Sequence, residues 1–389
     1  MSQSLSVAIA NKEAVSKQPS VKQLLILGWE ILLALPLGLI FSRFNIGGVA
    51  WIFAGIASGA LIFQSCRIFY DYFPNPHPNA RKIGMILVGL TIGSSNAHAN
   101  FVNVAAGVPV FLILTCFLLL SGAIIGYFYS RLTKINLLTA MLATVPGGVG
   151  IMAALAADYG RNVTLVALVQ VIRVTSVVLL IPFVARVSSF GSSLNPQTLP
   201  AKGVLFSLEP SYLGLLILAL LISGLVVYLA LLCKIPAAPF FGALLVGIGF
   251  NPILNLLPFV TDINFTPPPL INLLGQILLG ITIGEYWGDK PQLEKQTITY
   301  AFMSVGMTLI AGAIAAILAM QLTSWDWLTC LLVTAPGGSA EIILVALALN
   351  HNVEIVTAGH LVRLIAINCS LPLWIFLFRR LDNKLEEAA

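Results

Sequence analysis

Apolar residues fall in long blocks along this chain, and polar residues gather in short gaps between them. Val21 to Phe41 is a first block, interrupted by Glu30 and Pro36. Gly47 to Phe69 is a second, rich in Gly and Ala. The charged, Pro-rich connector FPNPHPNARK ends at Lys82, and a short Gly-spaced segment follows, Ile83 to Ser94. The span Val108 to Ser130 carries no charge. Ile135 to Tyr159 is apolar but broken at Pro146-Gly147-Gly148, and Val163 to Val187 closes this series. After the polar stretch Ser188 to Glu209 the order repeats. Spans fall at Tyr212 to Cys233, Pro239 to Leu257, Leu270 to Trp287 and Thr297 to Leu322. A broken segment, Trp325 to Leu349, and a last span, Val353 to Phe378, complete the set. A helix rises about 1.5 Å per residue, so about 20 residues cross the hydrocarbon of a bilayer.

The repetition extends to individual residues. A constant offset of 190 maps Pro146-Gly147-Gly148 onto Pro336-Gly337-Gly338, Asn162 onto Asn352, Arg173 onto Arg363 and Pro182 onto Pro372. At an offset of 191, Gly84, Gly89 and Gly93 fall on Gly275, Gly280 and Gly284. The pattern predicts a tail (1–20), a first membrane repeat (21–187), a linker (188–211), a second repeat (212–378) and a C-terminal polar tail (379–389).

Composition closes off the soluble alternative. Hydrophobic residues make up 58% of the chain and charged residues 9%, more apolar surface than a water-soluble fold of this length can bury. The net charge of +5 sits at segment ends, so it argues for a membrane rather than a nucleic acid. Five scattered cysteines without C-x-x-C argue against disulfides and structural zinc. The first twenty residues show no signal-peptide pattern, so the first apolar block is expected to insert uncleaved.

Each Pro-Gly-Gly break allows two readings: a kink in a crossing helix, or the tip of a re-entrant hairpin. Six crossings per half would give parallel repeats; five plus a hairpin gives inverted ones. Setting aside the deep Arg173 and Arg363 leaves eighteen of the 20 Lys and Arg residues. With a cytoplasmic N-terminus and hairpins, three of these face outward: Arg43, Arg186 and Lys202. With crossing segments five do: Arg43, Arg161, Lys234, Lys290 and Lys295. The positive-inside rule favours the hairpins. The fold expected is an all-α polytopic membrane protein of about ten transmembrane helices plus two re-entrant hairpins, in two inverted repeats with both termini cytoplasmic.

The candidate chemistry lies at the breaks. Gly147-Gly148 and Gly337-Gly338 lead straight into helices, whose free N–H groups suit an anion. The plainer reading is a turn needing positive φ. Arg173 and Arg363 lie about ten residues into their spans, where a charge costs about 2.5–3.5 kcal/mol on insertion scales and wants a partner or a cavity. Gln170 and His360 precede them by three positions on the same face. The plainer reading makes these pairs a scaffold joining the last helix to the hairpin. Glu341 is a candidate for ion or proton coupling, or simply a partner for Arg363; its counterpart is Ile151. Glu30 lies midway along its apolar run and is read as reaching the interface. Asn162 and Asn352 are read as N-caps, Asp158 and His351 as loop residues. His77 and His98 have no neighbours at ligand spacing, so no metal is expected. No nucleophile–base motif or phosphate loop appears, and no cofactor is expected.

The residues TVPGG…LVQVIR, TAPGG…GHLVR and LGQILLGITIG at Leu274 to Gly284 resemble the bacterial membrane AbrB family, over nearly the whole chain after the tail. The family has carried the labels of gene-expression regulator and ammonia monooxygenase. It shares its name with an unrelated DNA-binding transition-state regulator. Ile151 stands where an acid would be expected, which makes a binding role for the first hairpin doubtful. Five spans and a Gly-rich hairpin also look like citrate- and glutamate-type transporters, by analogy of fold.

Three functions compete. A secondary transporter of a small organic anion, driven by a proton or sodium ion, fits the duplication, the broken helices and the buried charge. A membrane regulator would act indirectly, since the ends are too short for a DNA-binding module. A monooxygenase would need a metal or flavin for which no site is visible, so no enzyme is expected. The expected surroundings are the bacterial inner membrane, a small anionic substrate and no nucleic acid, with a homodimer as a further expectation.

Overall fold

The structure, a computed structural model, describes residues 21–44, 47–72, 74–97, 101–188, 209–233, 235, 237–256, 264–288, 295–349 and 351–387. The tail (1–20), linker residues 189–208, and His98, Lys202, Lys234 and Lys290 lie outside the described residues. Fourteen α-helices and one short 3-10 turn, Gly47–Val49, make up the regular structure of the described residues. In chain order they are α1 (Val21–Ser42), α2 (Ala50–Tyr70), α3 (Ala80–Ser95), α4 (Phe101–Thr133), α5 (Leu137–Thr144), α6 (Val149–Asp158) and α7 (Val163–Ser188). Then follow α8 (Pro210–Leu232), α9 (Ala238–Asn255), α10 (Pro269–Gly288), α11 (Lys295–Leu322), α12 (Trp327–Thr334), α13 (Ser339–Ala348) and α14 (Val353–Glu387). Nine of these are long and apolar enough to cross a membrane: α1, α2, α4, α7 to α11 and α14. The Gly-spaced α3 is shorter, at 16 residues. The last helix runs on through the polar stretch at the C-terminus as far as Glu387.

The helices of the two halves interlock. α2 packs most closely on α10, and α9 on α3. Glycine makes both contacts possible. A Cβ on Gly55 or Gly59 of α2 would meet the backbone oxygens of Ile277 or Ile281, and one on Gly280 or Gly284 would meet those of Ile52 or Ile56. Gly89 and Gly93 stand in the same way against Phe240 and Leu244 of α9. These are small-xxx-small contacts, in which backbones approach because nothing stands between them.

The contacts also fix direction. Along α2 and α10 the partner numbers rise together, so the two helices run parallel, as do α3 and α9. Between α3 and α10 the order reverses: Gly84 faces Leu278 and Leu279, while Gly275 faces Leu87 and Val88. Those two helices cross in opposite senses at the glycines that the 191-residue offset pairs.

Each Pro-Gly-Gly segment interrupts a helix, leaving eight residues before it and ten after: α5 and α6, then α12 and α13. Asn136 caps α5 by accepting from the N–H groups of Leu138 and Thr139 (3.0 and 3.3 Å). Asp326 caps α12 through Leu328 and Thr329 (3.1 and 3.2 Å). Asp382 of α14 reaches α5 as well, accepting from the N–H groups of Leu137 and Leu138 (2.9 and 3.1 Å).

Candidate functional site

The last residues of α5 and α12 have no helical partner for their carbonyls, and a membrane interior supplies no water. The two deep arginines fill this need. Gln170 Nε2 donates to the carbonyls of Leu142, Ala143 and Val145 (2.9, 3.1 and 3.0 Å). Arg173 Nη1 donates to those of Thr144 and Val145 (3.1 and 3.2 Å), and its Nη2 to Gln170 Oε1 (2.6 Å). In the second half Arg363 Nη1 donates to Ala335 O (2.8 Å) and Nη2 to His360 Nδ1 (2.6 Å), while His360 Nε2 meets Leu332 O (2.9 Å). A guanidinium can only donate. His360 Nδ1 therefore accepts and Nε2 carries the proton, so the imidazole presents the same acceptor–donor pair as the Gln170 amide. Thr144 and Thr334 complete the parallel, each donating to the carbonyl of Gly122 or Gly312 on the preceding long helix (3.0 Å in both).

The tips of the two breaks meet at one cavity of about 100 Å³. Pro146, Gly147 and Gly148 line it from one side and Gly337, Gly338 and Ser339 from the other, with Arg81, Glu341 and Arg363 as its charged residues. The space is enough for several waters or a small organic ion. Gln170, Arg173 and His360 are buried off the cavity; their polar groups serve the α5 and α12 carbonyls. Arg363 does both jobs.

Arg81 is the residue that sequence reasoning missed. The connector pattern makes it a loop charge, yet it is the second residue of α3. Its Nη2 lies 2.6 Å from Glu341 Oε1, its side chain 32% exposed against 1% for the acid. Glu341 thus pairs with Arg81 rather than Arg363. A signal existed: the 191-residue offset sets Arg81 against Asn272, a second polar residue opening the equivalent helix.

The two tips differ in detail. Gly148 takes φ +86°, where glycine is favoured. Gly338 has φ −69° and so has no such need; a Cβ there would instead collide with the Glu341 carboxylate. That carboxylate lies over the first turn of its own helix, where a negative charge suits the exposed N–H groups. Ile151 leaves the equivalent turn of α6 without one.

Two other sequence expectations are corrected. Asn162 does cap α7, accepting from Leu165 N–H (3.0 Å). Asn352 does not cap in this way: its amide donates to Asp326 Oδ1 (3.2 Å) and Thr329 Oγ1 (2.8 Å), tying the start of α14 to that of α12. Glu30 does not reach an interface; it is fully buried.

Apolar helices that cross a bilayer, helical breaks that meet in the interior and buried charge at the meeting point define a multi-pass all-α membrane protein. The chain belongs to the AbrB family: the family model described as "Transition state regulatory protein AbrB" matches residues 51–379. It is similar to the uncharacterized protein YhjN of Bacillus subtilis (strain 168), 28% identical over 300 residues, covering 75% of this chain and 76% of that one. It is also similar to a protein of Escherichia coli (strain K12) whose name proposes a regulator, AbrB, 26% identical over 293 residues, covering 74% and 79%.

Proposed function

We propose that this protein is a secondary transporter of a small organic anion in the bacterial inner membrane. The observation that carries the reading is the cavity shared by the two tips. Two guanidinium groups, Arg81 and Arg363, face one carboxylate there, beside the N-termini of α6 and α13. The balance of fixed charge is positive. Because Glu341 already occupies the α13 terminus and holds Arg81, the anion is assigned to the α6 terminus at Gly148 to Ile151, within reach of Arg363. This reverses the expectation that the missing acid makes the first tip the weaker one.

In this reading the broken helix pairs are re-entrant hairpins and the halves are inverted repeats. The opposed crossing of α3 and α10 supports it, since duplicated helices in parallel repeats would run the same way. The same fold also suits the regulator named in E. coli: control of a metabolite across the membrane is an indirect route to gene expression.

Two experiments test the proposal. Purified protein screened against small carboxylates should show a thermal shift that Arg81→Gln weakens. A shift with ammonium alone, dependent on Glu341, would mean that the cavity is read by its acid, and would overturn the anion assignment. In a cysteine-free background, Arg161→Cys should be labelled from the cytoplasm and Asn352→Cys from outside; labelling of both from one side would end the inverted reading.

A further inference from the structure

A second set of buried ionisable groups lies outside the cavity. On α1 a single face is buried, formed by Glu30, Ala34 and Gly38 at four-residue spacing, and it packs on α2 and α10. Glu30 is 0% exposed, and neither of its carboxylate oxygens has a hydrogen-bond partner. Glu285 of α10 is 3% exposed, its backbone set against Gly59 of α2, the helix on which the Glu30 face also packs; its charge bears on Glu30. His77 of the connector lies beside Glu285, with its own ring 8% exposed and Nε2 unpartnered. From α2, Cys66 is the titratable group facing Glu30. Arg67 beside it is engaged in a contact of its own, and Lys22 of α1 lies over the Tyr72 ring. Among the described residues neither carboxylate has an ion-pair partner.

We propose that Glu30 and Glu285 form a proton-binding pair, which takes up one proton, on one carboxylate or the other, from the side carrying the connector 74–79. Two like charges shut away from water and counter-ions cannot both persist. One added proton converts one carboxylate to a neutral carboxylic acid and removes the repulsion. A metal ion fits less well, because Cys66 and His77 do not converge with the two carboxylates into a ligand set among the described residues. The pair is graded in depth. Glu285 lies three residues from the end of α10 beside the connector, and Glu30 lies midway along α1. The connector also ties the pair to the cavity: His77 stands four positions before Arg81, which lines that space. The site is independent of the transport reading; only its use as the coupling group rests on it. In that use it replaces Glu341, which is held by Arg81.

The test is labelling with dicyclohexylcarbodiimide, which reacts with protonated carboxyl groups in apolar surroundings. Full-length protein in phospholipid nanodiscs is labelled from mildly acidic to alkaline pH, with and without sodium, and mapped by peptide mass spectrometry. The expected result is a sodium-insensitive adduct on Glu30 at neutral pH that fades as pH rises. In Glu285→Gln the fading should move to lower pH by more than about one unit, because the like charge is gone. No adduct on Glu30 or Glu285 in the wild type, or protection by sodium, would overturn the proposal, and neither outcome depends on a variant folding or on any transport assay. An unchanged profile in folded Glu285→Gln would overturn the pairing.

Discussion

The two broken helix pairs share their wiring and differ in what stands at their tips. At an offset of 190 the same threonine bond, the same arginine and the same donor–acceptor side chain recur. Yet α13 is buried along nearly its whole length, with Ile342 to Ala346 fully enclosed, whereas Val149, Met152 and Ala156 alone are buried in α6. α13 also docks on α3 and on the Gly47–Val49 turn, contacts that come from the first half. The frame of each pair is therefore the same, while charge and packing differ: one tip is neutralised by its own acid, the other is open.

The largest effects should come from the shared frame. Arg173→Gln and Arg363→Gln each strand carbonyls in an anhydrous interior. Both should lower stability by something on the order of 3 kcal/mol in detergent melts, given about 1.5–3 kcal/mol per charged hydrogen bond. His360→Leu should approach that loss. His360→Gln, which copies the first half, should cost under about 1 kcal/mol, and an equal loss for both would show that the imidazole does something that the Gln170 amide does not. Ile151→Glu is the sharpest test of the difference, because it gives α6 the acid that α13 has. Carboxylate binding should weaken about tenfold or more, roughly 1.4 kcal/mol, with little change in melting; unchanged binding would show that the α6 terminus does not hold the anion.

Smaller effects separate the two glycines. Gly148→Ala puts a side chain on a backbone of positive φ and should cost about 1 kcal/mol or more with no effect on the Arg81–Glu341 pair. Gly338→Ala leaves the backbone at ease but displaces the Glu341 carboxylate, so it should mainly alter ligand binding. The smallest difference is in the caps. Burial acts to raise the Asp326 carboxyl, but the Thr329 hydroxyl and N–H and then His351 outweigh it and hold it below its ordinary value. A group depressed in the folded state stabilises above its unfolded value, about 3.9 for Asp, and loses that contribution as pH falls further. Asn136 does not titrate. Below about pH 4, hydrogen exchange should therefore quicken in α12 before α5, and Asp326→Asn should remove the difference.

Much of this was legible in the apolar blocks, because a bilayer imposes length and polarity on every span. Helix breaks and deep arginines were legible for the same reason: both violate the rule that membranes enforce. Their partners were not. The bond from Arg173 to Val145 O depends on where the chain returns, and sequence spacing does not carry that. Arg81 sat among solvated charges in the connector, and only the fold shows that α3 begins beside the Gly338 tip. Glu30 looked peripheral because Glu285, which gives it a role, is a distant residue on another helix.

The parallel contact of α2 with α10 has a consequence for how the protein is made. Gly55 of α2 meets Gly280, more than two hundred residues downstream. At about 5–20 residues per second, the ribosome takes on the order of tens of seconds to supply it. During that interval the glycine face of α2 has only lipid or a transient companion against it, and so does the matching face of α3. Membrane insertion thus precedes assembly here, and a chain truncated after the first half would keep its spans but lose the surface on which they settle.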